Sequence, residues 1–219
     1  MEPQGNRYFD PVCPDMPVLH AADQEICAEL TAKLTSQSIG TTAFSAQKIA
    51  SMIVGSQHLR RLAVKYSDDI NSILNGHGAA VMARAEQEFL SEMQRASDDA
   101  NAMLAIRRWR GRSCLTVALS DLAGLCDPET QMAWLSRAAN AALQASLAFL
   151  INLAVARGKI KRFDSSMRGC GWTIIALGKL GAEELNYSSD VDLLILHDLA
   201  TAPLAKDQVQ PFYVEQLEL

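Results

Sequence analysis

The chain has no excess of positive charge. Its 219 residues carry 20 Lys and Arg against 25 Asp and Glu, a formal net charge of −5. Such a chain gains little from the phosphate attraction that drives non-specific nucleic-acid binding, so nucleic acid is not an expected partner. Metal-ligand spacing is missing as well. The five cysteines (Cys13, Cys27, Cys114, Cys126 and Cys170) are odd in number and no pair reads C-x-x-C. They are read as free thiols of a cytoplasmic protein. The four histidines are scattered, which suggests no zinc site. The opening MEPQGNRYFDPVCPDMPVLH lacks a basic start followed by an apolar run, so no secretory signal is expected. No long apolar run is uninterrupted either. Asn140, Gln144, Ser146 and Asn152 break the stretch from 138 to 156, and Arg137 and Arg157 bound it. That stretch is read as a buried helix, with no membrane partner.

What is present suffices for a core. Hydrophobic residues make up 49% of the chain and charged ones 21%, which excludes a disordered chain. Residues 1–22 hold Pro3, Pro11, Pro14 and Pro17 and read as an irregular leader. From Asp23 to about 165 the pattern is helical. Ile26, Leu30 and Leu34 repeat every four residues. A second helix is expected from Ser45 to Tyr66, with Ile49, Met52, Ile53 and Val64 on one side and Gly55 weakening its middle. Asn75, Gly76 and Gly78 mark a join before a helix over 79–95. Ser97, Asp98 and Asp99 open the next helix, which leads into Arg107, Arg108, Trp109, Arg110 and Arg112. Residues 115–125 read as a further helical stretch.

Asp127-Pro128 is the clearest local signal, a cap followed by a proline suited to the first turn. Leu135, Ala139, Leu143, Leu147, Leu150 and Ala154 then recur at helical steps, and Gly158 is the expected stop. At Gly171 the texture changes. Residues 172–177 (WTIIAL) and 191–196 (VDLLIL) read as buried strands. Gly178 to Leu185 lies between them with a single helical turn, and a helix is expected to begin near Val209. The chain is thus mostly α and turns α/β from about residue 170.

Two features of the segment WTIIALGKLGAEELNYSSDVDLLILHD carry chemistry. One is the turn Gly178-Lys179-Leu180-Gly181, whose glycines allow backbone N–H groups close to phosphate oxygens. The other is Asp190-Val191-Asp192. Alternate strand residues share a face roughly 6.6 Å apart, and two carboxylates so placed repel unless a cation joins them. Mg²⁺ takes one or two carboxylates together with phosphate oxygens, and a pair of such ions supports in-line displacement at phosphorus. A bare D-x-D is common, and Asp190 could merely cap a turn after Ser188 and Ser189. Asp192 inside an otherwise apolar strand tips the balance toward a site.

The string LGKLGAEELNYSSDVDLLILHD resembles the nucleotidyltransferase signature of the glutamine synthetase adenylyltransferases, a G-K-L-G-G turn followed by E-L-N-[YF]-S-S-D-[IV]-D-L. The upstream IRRWRGRSCLTVALSDLAGLCDPETQMAWLSRAANAAL also resembles that family's helical region. The resemblance spans about residues 100–200. It implies a helical region followed by the opening of a polymerase-beta-like α/β nucleotidyltransferase domain over 170–219. It implies Mg²⁺ held by Asp190 and Asp192, with Gly178, Lys179, Gly181 and Ser189 at the nucleotide phosphates. It implies transfer of AMP to and from a tyrosine of glutamine synthetase, with ATP, ADP and phosphate as small partners and a PII-type signal protein as a regulator. The single motif near residue 190, counted from Met1, assigns the adenylyl-removing copy of the two that the family carries.

The family has Gly-Gly where this chain has Gly181-Ala182. The superfamily's third carboxylate finds no counterpart, since Asp207, Glu215 and Glu218 lie in polar or helical contexts. The chain is therefore read as a truncated piece. Two rivals stand beside this reading: another protein- or small-molecule nucleotidyltransferase, and a helical protein-binding module with an inert site. The Arg107–Arg112 cluster is read as a solvated helix face with Trp109 docked inward. His197 is read as an exposed strand-end residue, and Trp172 and the methionines as core.

Overall fold

The computed structural model describes residues 21–36, 45–160 and 172–198, with 208, 210 and 211. The helix expected from Val209 and the carboxylates Asp207, Glu215 and Glu218 fall almost wholly outside the described residues, as does the leader except for its end. Eight helices and two strands are described: α1 (Ala21–Ser36), α2 (Ala46–Ile53), α3 (Gln57–Lys65), α4 (Ser67–Ser72), α5 (Gly78–Arg95), α6 (Asp99–Leu122), α7 (Pro128–Ala156), β1 (Trp172–Leu177), α8 (Gly178–Gly181) and β2 (Asp192–His197). They fall into two compact units, Met1–Ala85 with Gly111–Gln131, and Glu86–Arg110 with Met132–Leu219.

In the first unit the helix expected over Ser45–Tyr66 is two helices. The hydroxyl of Ser45 accepts the Lys48 N–H, and that of Ser56 accepts the Leu59 N–H, both at 3.3 Å. Each serine thus starts its own helix, and Val54-Gly55 form the turn between them. The break frees the Val54 carbonyl, and the Arg60 guanidinium donates to it. It also changes the helical phase. Ile49 and Ile53 are fully buried, while Val64 is exposed instead of sharing their face. The join after α4 is a π turn over Ile73–His77, with Gly76 at φ 82°, a conformation that favours glycine. Leu30, Leu34, Ile49, Ile53, Ile70, Ile73 and Leu119 belong to one continuous apolar core.

Within this unit the side chain of Asp69 is buried and bound by both Arg84 and Arg112. Arg112 is therefore no member of a solvated arginine face. It is mostly buried, and its Nη2 donates to Asp69 at 3.0 Å. Sequence spacing alone could not show this, because Asp69 is 43 residues away. The segments 99–110 and 115–125, expected as separate helical stretches, form the continuous α6. Gly111 allows this helix close to Leu62, whose Cδ2 lies only 3.0 Å from where a Cβ would sit.

The second unit holds the rest. Trp109 is buried as expected. Its ring stacks on Phe89 with centroids 5.6 Å apart, and its indole N–H donates to the Ala138 carbonyl at 2.9 Å. Arg108 reaches Glu92 at 3.3 Å, and Arg107 and Arg110 are exposed. Met82 of the first unit and Met93 of the second are buried, but Met103 is 42% exposed, so the methionines are not uniformly core. Helix α7 begins as its sequence announces. The Asp127 carboxylate accepts the Thr130 N–H at 2.7 Å, and the Thr130 hydroxyl and amide together hold its pKa below the ordinary aspartate value. It ends at Gly158, φ 70°, with Lys159 N–H donating to Ala154 C=O and Gly158 N–H to Val155 C=O.

The buried stripe of α7 runs through Leu135, Ala138, Ala141, Ala145 and Phe149, not through the expected Ala139, Leu143, Leu147 and Leu150. A helix apolar nearly all round leaves its buried side to be chosen by packing, and alanines permit the closer approach. Among the described residues α7 is the one helix long and apolar enough to cross a membrane, and 33% of its most apolar stretch is buried.

Candidate functional site

The residues singled out in the sequence lie on β1, α8 and β2. The two strands pair antiparallel, with Leu177 opposite Asp192 and Ile175 opposite Leu194. Neither strand is buried on both faces. Thr173, Ile175 and Leu177 are exposed opposite Leu196, Leu194 and Asp192, while Ile174, Ala176, Leu193 and Ile195 are half-buried. The expectation of buried strands fails because a sheet of two strands has no further layer on that face among the described residues. Asp192 is accordingly the exposed first residue of β2, not a carboxylate inside it. Asp190 precedes the strand, so the shared-face spacing argued from strand geometry does not apply to the pair.

The glycines have a reason that the sequence did not disclose. Gly178 follows β1 at φ 55°, and a Cβ there would meet the Asp192 carboxylate at 2.9 Å. A Cβ on Gly181 would lie 2.5 Å from the Ala176 carbonyl oxygen. Both glycines let the turn fold tightly onto the strand pair, and Gly178 lets Asp192 lie against the turn's first residue. The consequence is one assembly in which strand end, turn and carboxylate touch.

The turn closes with a left-handed residue. Glu183 sits at φ 60°, with Glu184 N–H donating to Lys179 C=O and Glu183 N–H to Leu180 C=O. This is the same closure that Gly158 makes after α7, here built with a side chain that the conformation disfavours. Leu180 and Leu185 are buried, while Lys179, Ala182, Glu183 and Glu184 are exposed. The Leu185 N–H donates to the hydroxyl of Ser136 on α7 at 3.1 Å, in a buried setting.

Asn186 organises the next turn. Its Oδ1 accepts the Ser188 N–H at 3.2 Å and the Ser189 hydroxyl at 2.7 Å, and its carbonyl accepts the Ser189 N–H at 3.3 Å. Ser189 therefore has both its donors on Asn186, and a phosphate contact from Ser189 requires this turn to open. Asn186 was missed in the sequence, although an Asn two residues before a serine pair is a signal for such a turn. Ser136 offered no sequence signal, since it lies 49 residues from its partner.

Asp190 and Asp192 are exposed, and neither has a hydrogen-bond or ion-pair partner among the described residues. Two free carboxylate groups are hard oxygen donors of the kind Mg²⁺ shares with water and phosphate. Among the described residues no three His, Cys, Asp or Glu side chains gather as a fuller metal cage. The donor set thus fits a cation bound jointly with a phosphate-bearing ligand. His197 is exposed at the strand end, as expected.

The family model for glutamate-ammonia ligase adenylyltransferase matches residues 46–214. The chain belongs to this family. Its relatives are named bifunctional glutamine synthetase adenylyltransferase/adenylyl-removing enzyme. The one from Xanthobacter autotrophicus is 44% identical over 120 residues, covering 53% of this chain and 12% of that protein. The one from Bradyrhizobium diazoefficiens is 37% identical over 141 residues, covering 63% of this chain and 14% of its own length. That from Rhodopseudomonas palustris strain BisB5 is 39% identical over 122 residues, covering 54% of this chain and 12% of that protein. The chain therefore matches only a small part of each relative's length. No solved structure matches it.

Proposed function

We propose that this chain contributes the phosphate-and-metal half of a nucleotidyl-transfer site, and that the reaction is removal of AMP from a tyrosine of glutamine synthetase. The supporting observation is the interlock of Gly178 with Asp192, which joins a glycine turn and an exposed carboxylate in one piece of a family member. In this reading a nucleotidyltransferase domain opens near residue 170, in a cytoplasmic protein. Asp190 and Asp192 hold Mg²⁺, the backbone of Gly178–Gly181 faces the nucleotide phosphates, and Lys179 adds a positive charge beside them.

Bound there, Mg²⁺ supplies charge neutralisation for the phosphoryl oxygens. An oxygen of inorganic phosphate attacks the AMP phosphorus, the bond to the tyrosine oxygen breaks, and that oxygen takes up a proton. ADP and unmodified glutamine synthetase are the products. The chain's own residues position and neutralise, which is most of what such a transfer requires. Addition of AMP from ATP, and control by a PII-type signal protein, are proposed for the longer proteins of the family.

The test mixes the chain with AMP-modified glutamine synthetase, phosphate and Mg²⁺ and follows ADP release. Release by the native chain and its loss in Asp192→Asn is the expected outcome. If neither protein releases ADP and neither binds Mg²⁺–ADP in a titration, the proposal fails and the protein-binding module becomes the better reading.

A further inference from the structure

Ser136 stands out because it is a hydroxyl buried in the apolar stripe of α7, only 1% exposed. Serines in helices ordinarily bond back to a carbonyl of the preceding turn. Here the oxygen accepts an amide from another part of the unit, the Leu185 N–H at 3.1 Å. That amide has turned away from the local closure. The two preceding amides, of Glu183 and Glu184, close α8, and the next one, of Asn186, is taken by Ser189 at 3.3 Å. Leu185 is thus the link between two locally closed turns, with its own donor satisfied by the helix.

We infer that Ser136 is a positioning residue for the candidate site: by holding the backbone at Leu185 it sets where the Asn186 turn, and with it Asp190 and Asp192, sits against α7. The inference rests on the nucleotidyl-transfer reading above. The residues on either side of the tie are exposed from Gly181 to Glu184 and from Asn186 to Ser188, so the burial of Leu180 and Leu185 and this buried hydrogen bond help to anchor the segment. In a segment with few buried side chains, a buried hydrogen bond contributes appreciably to local stability. Ser136 is too buried to touch a ligand. Its effect on binding must pass through the backbone.

The experiment uses the whole chain in four forms: native, Ser136→Ala, Ser136→Thr and Ala141→Gly. Ala141 is buried on the same helix and offers no side-chain hydrogen bond, so its glycine variant weakens α7 alone. Hydrogen exchange at the Leu185 amide and Mg²⁺–ADP affinity are read beside the thermal midpoint. Ser136→Ala is expected to speed Leu185 exchange about tenfold and to raise the Kd by about five- to tenfold, the equivalent of roughly one buried hydrogen bond. Ser136→Thr, which keeps the acceptor oxygen, restores both, and Ala141→Gly lowers the midpoint with the Kd within about twofold of native.

A Kd that moves equally in Ser136→Ala and Ala141→Gly overturns the positioning role while leaving the site intact. Should Ser136→Ala fail to fold, Ser136→Cys keeps a weaker acceptor and is expected to shift Kd in the same direction; no shift there overturns the role. A native chain that binds no Mg²⁺–ADP overturns the proposed function, and the exchange data then show Ser136 as a structural tie only.

Discussion

The helical core of the first unit and the strand pair of the second treat their apolar residues in opposite ways. Leu34, Ile49 and Ile53 are sealed completely. Ile175, Leu177, Leu194 and Leu196, equally apolar, remain 40% to 46% exposed. The helices find partners through short connections, so each apolar stripe meets another within the unit. Two paired strands bury one face at best and leave the other open, which makes an isolated strand pair marginal in water. Among the described residues, the region of the proposed site is therefore the less self-sufficient one. Its order depends on tight local geometry and on its attachment to α7.

Trimming one residue in each region puts this contrast under the greatest strain. Ile53→Ala should cost about 3 kcal/mol, since the whole side chain is removed from a sealed core. Leu194→Ala should cost less than about 1 kcal/mol, because little burial is lost on an exposed face. Chemical denaturation of both variants decides this, and equal losses would show the strand face to be covered in solution. A second change probes the turn. Gly178→Ala places a methyl against the Asp192 carboxylate in a left-handed conformation, and should cost about 1–2 kcal/mol. Because the carboxylate must move, Mg²⁺–ADP affinity should fall as well, which calorimetric titration would read. The smallest effect goes the other way. Glu183→Gly relieves a left-handed side chain at the closure of α8 and should stabilise the protein by about 1 kcal/mol. A lower thermal midpoint would mean that the Glu183 side chain contributes something its exposed position does not reveal.

Three closures of one kind show how far local sequence is informative. Gly124 after α6 and Gly158 after α7 adopt φ 66° and 70°, and each ends its helix with the same pair of hydrogen bonds. Gly158 is legible as a stop, whereas the helical stretch expected over 115–125 runs through Gly124. The third closure uses Glu183, which no sequence rule marks. The same holds for packing. Trp109, expected to dock inward from an arginine-rich helix face, is buried as expected. Arg112 departs from the expected solvated face because its partner, Asp69, is brought near only by the fold. At the site, Asp190, Asp192, Gly178 and Gly181 were named from their spacing. The spacing suggests a metal-holding carboxylate pair on one strand and phosphate-facing glycines; the structure sets Asp190 ahead of β2, so that shared face is lost, and shows both glycines demanded by close neighbours at the strand pair.

Most helix starts and stops, the six residues of each strand to within one position, and the family of the motif were all legible in the sequence. These come from caps, glycines, proline and short-range apolar patterns, whose physics acts over a few residues. Tertiary structure alone decided which side of α7 is buried, that Asp69 gathers Arg84 and Arg112, that Asp192 is exposed against Gly178, and that Ser136 holds Leu185. Each of those depends on groups distant in the chain meeting in space, and a choice between several equally apolar faces or polar partners is made only when the elements pack.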